Sequence, residues 1–140
     1  MQSRASILIS RPTENVFAFI TEPANDKRWR SHLTASRGHI TAVGDRVTQT
    51  YSYQGKTHSA ELEIVEFQPP ERLTYAITEP ARARVTLTCR PDGSGTRVSM
   101  QMTANVSGPA ALFAGRIQSE MEKLARTDLE SLKRALESVE

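Results

Sequence analysis

The sequence predicts an α+β fold in which a curved antiparallel sheet of six to seven strands packs against one long helix at the end of the chain. From about residue 34, apolar and polar residues alternate with a period of two and are interrupted by short turns. This pattern is typical of strands with one buried and one solvent-facing side. From residue 108 to residue 139 the apolar residues recur with the period of a helix instead.

A strand and two short helices precede this meander. Residues 3–10 alternate as a strand, residues 12–20 form a short helical segment, and residues 21–29 form a second one. Proline is tolerated at the start of the first segment because the first helical N–H groups have no partner within the helix. We expect the Thr21 hydroxyl to cap the second segment, since threonine accepts a free backbone N–H at that position.

The strand segments are separated by tight turns at Gln54-Gly55 and at residues 92–95, and Pro69-Pro70 ends one of them. The residues predicted to share one face of these strands are Val47, Gln49, Tyr51, Tyr53, Ala60, Leu62, Ile64, Leu73, Tyr75, Ile77, Ala83, Val85, Leu87, Cys89, Val98, Met100, Met102 and Ala104. A sheet of this size twists and curls. A straight helix therefore touches it along a line and leaves space beside that line.

The terminal helix begins at Gly108-Pro109 and has one apolar stripe. The stripe consists of Phe113, Ile117, Met121, Leu124, Leu132, Leu136 and Val139. The predicted solvated face consists of Arg116, Glu120, Glu122, Lys123, Arg126, Asp128, Glu130, Lys133 and Arg134. A helix of about 30 residues is roughly 45 Å long, so it needs a broad partner surface. We expect Phe113, Ile117 and Met121 to line a cavity, and the last three apolar residues to seal the sheet.

Composition narrows the class of protein. The length of 140 residues predicts a single domain over residues 1–140. A net charge of +2 does not indicate a nucleic-acid partner. The single cysteine, Cys89, excludes an internal disulfide. No segment has the length of a membrane span, so stable membrane insertion is not expected and a cytoplasmic location is the default. No pattern indicates a cofactor or a metal site.

Charges are unevenly placed along the strands. Arginines gather around one hairpin, at Arg82, Arg84, Arg90 and Arg97, and glutamates precede it, at Glu61, Glu63, Glu66 and Glu71. We interpret them as solvated faces of neighbouring strands that pair with each other, in preference to a partner site.

Several segments together are similar to the START-like (SRPBCC) superfamily, and most closely to its polyketide cyclase/dehydrase and lipid-transport group. These are residues 11–20 and 21–29 after the opening strand, Val43-Gly44-Asp45 before a strand, residues 64–73, and residues 95–98. The resemblance covers nearly the whole chain. It implies a helix-grip fold with a hydrophobic pocket for a lipid, polyketide, sterol or aromatic ligand, and catalysis in some members. It provides no shared catalytic motif, so we predict no catalytic residues.

The predicted ligand contacts come from the inner strand face, the helix stripe and the short helices. They are Phe17, Trp29, Gln49, Tyr51, Tyr53, Tyr75, Met100, Met102, Phe113, Ile117 and Met121. Gln49 either reaches solvent at the sheet edge or anchors a ligand. The Tyr75 hydroxyl needs a partner, from the protein or from the ligand. Trp29 either gates the pocket or caps the sheet, and the methionines either fill the core or line the pocket.

Three functions remain open from the sequence. The first is binding of a small hydrophobic molecule between the sheet and the terminal helix. The second is a cyclase- or dehydratase-type enzyme acting on such a molecule. The third is a protein-interaction module with a vestigial pocket. The ligand, any reaction and the oligomeric state are not encoded in the alternation pattern.

Overall fold

The fold is described from a computed structural model, which places residues 1–79, 82–105 and 108–138. Seven strands occur within these ranges: β1 Gln2–Ile9, β2 Leu33–Gly38, β3 Arg46–Tyr53, β4 Lys56–Gln68, β5 Arg72–Glu79, β6 Ala83–Asp92 and β7 Gly95–Ala104. They form one sheet in the order β1-β7-β6-β5-β4-β3-β2. All neighbouring strands are antiparallel. The predicted α+β meander with a terminal helix is confirmed.

The helices occur where the sequence places them, with differences at their ends. They are α1 Thr13–Ile20, a 3₁₀ helix Pro23–Arg28, a second 3₁₀ helix Gly108–Phe113, and α2 Ala114–Glu137. The predicted 108–139 helix is therefore α-helical only from Ala114. Gly108, the first residue of the second 3₁₀ helix, has a φ of 65°, which is outside the α-helical range and which glycine adopts without steric cost. Val139, the last residue of the predicted stripe, lies outside the described residues.

Thr21 does not cap the second short helix as predicted. Its hydroxyl donates instead to the Phe17 carbonyl at 2.9 Å, at the C-terminal end of α1. The N-terminal cap of the Pro23–Arg28 helix is Glu22, whose carboxylate accepts from the Ala24 N–H at 3.2 Å. A carboxylate is the stronger acceptor for an N–H at the positive end of a helix.

The hydrophobic core lies between the inner face of the sheet, α1 and the second half of α2. Leu129, Leu132 and Leu136 of α2 are buried in it. This end of the helix is also tied to β1, because Lys133 Nζ donates to the Leu8 carbonyl at 3.3 Å and Glu137 accepts from the Ser10 N–H at 2.9 Å. The first half of α2 is more exposed. The helix is thus held at its C-terminal half, and its N-terminal half leaves a groove beside the sheet.

Candidate functional site

An open groove of about 500 Å³ separates the end of β3 from the first half of α2. It is lined by Ser31, His32, Tyr51, Tyr53, Glu120, Met121, Lys123, Leu124 and Thr127. The two tyrosines lie two residues apart on the inner face of β3, while the helix residues share the side of α2 that faces them. The volume lies within the usual range of small-molecule sites. The groove is therefore the candidate ligand site.

Aromatic rings form the sheet side of the groove. The rings of His32 and Tyr53 meet edge to face, with centroids 5.4 Å apart. Tyr51 stacks on His58, its cross-strand partner on β4, at 5.2 Å. The backbone of His32 has a φ of 66°, in the left-handed region that non-glycine residues rarely adopt. This conformation occurs directly before β2, where the His32 ring meets the ring of Tyr53.

A buried ionic cluster centred on Arg30 lies beneath the groove. Arg30 Nε is 3.3 Å from Asp128 Oδ2, and its Nη1 donates to the Tyr75 hydroxyl at 2.8 Å. The guanidinium lies over the Trp29 ring, 5.0 Å from its centroid. Burial alone lowers the pKa of Arg30, but its interactions with Tyr75 and Asp128 outweigh that effect and raise the pKa. Arg30 therefore stays charged and joins sheet to helix.

Asp128 connects this cluster to the floor of the groove. Its Oδ1 accepts from both the N–H and the hydroxyl of Ser31, and Ser31 itself lines the groove. The Asp128 side chain is only 4% exposed. The Asp128 carboxylate thus links the middle of α2 to the segment that follows the Pro23–Arg28 helix.

Asp26 is a second buried carboxyl of the cluster. Its Oδ2 accepts from the Ser36 hydroxyl at 2.8 Å and from Gln49 Nε2 at 3.3 Å. Burial raises the pKa of Asp26, and the Ser36 hydrogen bond and the charge of Arg30 only partly oppose it. Gln49 is therefore neither free at the sheet edge nor unpaired, because its amide bonds to Asp26.

The interior under the helix is almost filled. A chamber of about 20 Å³ is lined by Ile20, Asp26, Trp29, Arg30, Ile40, Val47, Gln49, Leu62, Ile64, Leu73, Tyr75 and Leu87. That volume suits a single water molecule and not an organic ligand. Within the described part of the chain, the Trp29 indole N–H is the one buried side-chain polar group without a hydrogen-bond partner. The space for a ligand thus lies at the mouth, between β3 and α2.

Comparison with known proteins identifies the family. The sequence profile of the family described as polyketide cyclase / dehydrase and lipid transport matches residues 1–137. This chain belongs to that family. Its helix-grip fold, with an open antiparallel sheet around a long C-terminal helix, agrees with this assignment. Among curated proteins, none matches the sequence.

Solved structures share the fold of this family member at low sequence identity. The protein TTHA0849 from Thermus thermophilus has a TM-score of 0.83 at 21% identity, with both chains fully covered. MLL2253 from Mesorhizobium loti has a TM-score of 0.78 at 22% identity, with 100% of this chain and 99% of that one covered. SA2116 from Staphylococcus aureus, described as a protein of unknown function, has a TM-score of 0.83 at 10% identity, with coverages of 99% and 94%. These similarities concern the fold alone.

Six of the eleven predicted ligand contacts reach one of the two cavities. Tyr51, Tyr53 and Met121 line the groove. Trp29, Gln49 and Tyr75 line the interior chamber instead. The Tyr75 hydroxyl finds its partner within the protein, on Arg30. The groove and the chamber adjoin each other along β3, because Tyr51 lines the groove and Gln49, two residues earlier on the same face, lines the chamber.

The other five predicted contacts line neither cavity. Phe17 and Met100 are buried in the core, and Met102 packs against it. Ile117 is half-buried, whereas Phe113 is 58% exposed. Met121 is therefore separated from the methionines of β7, with which the sequence pattern groups it.

The ionic cluster contains residues that the sequence pattern does not single out. The prediction that Asp128 belongs to the solvated face of the helix is wrong, because the side chain is buried. The spacing of the apolar residues in α2 does indicate that residue 128 lies on the buried side of the helix. Leu124, Asp128 and Leu132 follow one another at intervals of four, so the carboxylate occupies a place in the apolar stripe. Arg30 and Asp26 carry no comparable signal, since they belong to or follow a short 3₁₀ helix.

Within residues 1–79, 82–105 and 108–138, no group of three His, Cys, Asp or Glu side chains is close enough to hold a metal ion. None of the helices described is long and apolar enough to cross a membrane.

The raised pKa of Asp26 predicts a pH-dependent stability. The ordinary value is 3.8, so in the folded state Asp26 keeps its proton to higher pH than in the unfolded state. The free energy of unfolding should consequently fall as the pH rises from about 4 through the raised pKa. Asp26→Asn, which mimics the protonated form, should remove this part of the slope in urea titrations between pH 4 and pH 7. Identical slopes for the two proteins would contradict the assignment.

Proposed function

We propose that this protein binds a small, largely apolar molecule with a flat or aromatic body in the groove between β3 and α2. The observation that supports this proposal is the lining of a groove of about 500 Å³ by two tyrosines, a histidine and apolar helix residues. The chamber of about 20 Å³ beneath it has no room for such a molecule. Membership in a family named for cyclases, dehydrases and lipid transport favours the same chemistry.

The two walls of the groove suit different parts of such a ligand. The rings of His32 and Tyr53 offer faces and edges on which an aromatic body can pack. Met121 and Leu124 on the opposite wall supply apolar contact, and methionine adapts to varied shapes. Glu120, Lys123, Ser31 and Thr127 add polar groups around the groove, which can orient hydroxyl or carbonyl substituents.

Dye binding tests the location. We expect Met121→Asp and Met121→Trp to weaken binding of the aromatic dye 1-anilinonaphthalene-8-sulfonate at least about tenfold, the first through a charge in an apolar wall and the second by filling the groove. Each variant would be titrated by fluorescence after circular dichroism has shown that it is folded. Leu112→Asp is the matched control, because Leu112 is 85% exposed and lies outside the groove.

Two results would count against the proposal. If both Met121 variants are folded and bind the dye like the unmodified protein, the groove is not the binding site. A loss of the same size in Leu112→Asp would mean that the dye reports general surface hydrophobicity.

A second candidate is a cyclase- or dehydratase-type reaction on the same ligand. The observation that favours it is the nearness of the cluster to the groove, since Ser31 lines the groove and bonds to Asp128, the partner of Arg30. Asp26, whose pKa is raised by burial, lines the chamber beneath the groove and not the groove itself, so it could exchange a proton with the ligand only through a water molecule in that chamber. Native mass spectrometry of freshly purified protein, before and after incubation, tests the dehydratase form of this candidate, because a bound ligand whose mass falls by one water has been dehydrated. A ring closure without loss of water leaves the mass unchanged, so the released ligand would also be compared by chromatography before and after incubation.

A further inference from the structure

The outer face of the sheet, opposite the groove, presents a concentration of arginines on β5, β6, β7 and β1. A shallow depression of about 360 Å³ lies there, lined by Arg4, Arg72, Thr86, Thr88, Arg90, Arg97, Ser99 and Gln101. Their positions follow from the pleat. Residues 86, 88 and 90 of β6 alternate with the buried residues Val85, Leu87 and Cys89.

The register brings like charges together on this face, close to the turn that joins β6 to β7. Arg90 on β6 pairs directly with Arg97 on β7. Arg72 on β5 pairs with Thr88, two residues before Arg90 on the same face. Side chains directly opposite each other on antiparallel strands are close neighbours, and like charges in such a pair destabilise the sheet. An anion bound between the arginines would remove that cost.

Carboxylates neutralise only part of the depression, and three of the glutamates expected to pair with Arg90, Arg97 and their neighbours pair with Arg46 and Arg72 instead. Arg97 has Asp92 at 3.4 Å and Arg72 has Glu66 at 2.9 Å, and Arg4 donates to the Gln101 side chain at 3.1 Å. No described residue forms an ion pair with Arg90. This arginine lies two residues from Thr88 on the same face and is paired across the strands with Arg97.

We propose that Arg72, Arg90 and Arg97, with the hydroxyls of Thr88 and Ser99, bind a phosphate group. Guanidinium groups present planar pairs of donors that match two oxygens of a phosphate. Thr88 and Ser99 are cross-strand partners, so their hydroxyls provide neutral donors between the arginines. Such a group is borne either by a soluble phosphomonoester or by a phosphatidate headgroup. Because the face lies opposite the groove, the proposal does not depend on the proposed ligand site.

Titration with inorganic phosphate tests the site. Binding would be followed by the backbone amide shifts of β6 and β7 in two-dimensional NMR, at constant ionic strength set with chloride, because exposed charges are screened by salt. We expect saturable shifts centred on Thr88 and Ser99. Arg90→Gln should raise the phosphate Kd about tenfold, because it removes a charged donor from the centre of the cluster.

Arg84→Gln is the matched control. Arg84 lies on the same strand and the same face, and pairs with Thr103 and Ala76, far from Arg97. This substitution removes the same charge as Arg90→Gln, but at a distance from the proposed site. Because salt screens distant exposed charges, it should alter the phosphate Kd by less than about twofold. Equal weakening by the two variants, or shifts no different from those that chloride produces, would overturn the proposal.

Two further probes distinguish the sources of the phosphate group. Phenyl phosphate should compete with inorganic phosphate in the NMR titration if the site takes soluble phosphomonoesters. Co-sedimentation with phosphatidylcholine vesicles containing phosphatidate, lost in Arg90→Gln and kept in Arg84→Gln, would assign the headgroup instead. If neither probe depends on Arg90, the face is an ordinary solvated surface.

Discussion

Replacing Asp128 with asparagine is expected to lower the free energy of unfolding by about 3 kcal/mol, as is usual when one partner of a buried ion pair is removed. Asparagine has the shape of aspartate and can still accept from the Ser31 N–H. The charge of Arg30, whose side chain is only 22% exposed, would however lose its closest carboxylate, which lies 3.3 Å away. Urea unfolding monitored by circular dichroism measures this loss.

Glu63→Gln provides the reference for this prediction. Glu63 forms an ion pair with Arg46 at 3.2 Å, but both side chains are well exposed. Surface pairs of this kind contribute about 0–1 kcal/mol, so this variant should unfold close to the unmodified protein. A loss in Asp128→Asn as small as that in Glu63→Gln would show that the buried cluster does not hold α2 against the sheet.

Replacing Leu132 with alanine is expected to lower the free energy of unfolding by about 3 kcal/mol, within the range for a fully buried leucine. Leu132 is 0% exposed in the core between α2 and the sheet, so a cavity would remain. Dye affinity should not change, because Leu132 does not line the groove. Denaturant unfolding and dye titration of the folded variant measure the two effects separately.

Leu124→Ala is the matched variant on the other half of the same helix. Leu124 is half-buried and lines the groove, so its truncation should cost about 1 kcal/mol or less while weakening dye binding several-fold. The two leucine variants thus test whether α2 is divided into a sealing half and a lining half. Parallel losses of stability and dye affinity in both would contradict that division.

The buried end of the helix was predictable from the sequence for a local reason. Leu132 and Leu136 continue the helical period of the apolar stripe, and both are buried. The Gln54-Gly55 turn was likewise predictable. Both residues have positive φ angles, 53° and 76°, as a two-residue hairpin requires. Such features depend on neighbours along the chain, which a sequence displays directly.

The groove between β3 and α2 was only partly predictable. Alternation placed Tyr51, Tyr53 and Gln49 on one face of β3, yet the tyrosines line the groove while Gln49 bonds to Asp26 beneath it. Met100 and Met121 have equivalent apolar patterns, but one lies in the core and the other at the groove. The periodicity of the sequence indicates which face of a strand or helix a side chain lies on. It does not indicate whether that side chain lies in the core or at the groove.

The sequence by itself determined the order of strands and helices, their inner faces and the family, because these depend on local periodicity and on residues close in the chain. Only the tertiary structure decided that an open groove lies between β3 and the first half of α2 and that the interior is nearly closed. Residues far apart in sequence make that difference: Arg30, Tyr75 and Asp128 meet through charge and hydrogen bonds. These contacts link β5 to the middle of α2, and they cannot be read from local periodicity because the three residues are far apart in the sequence.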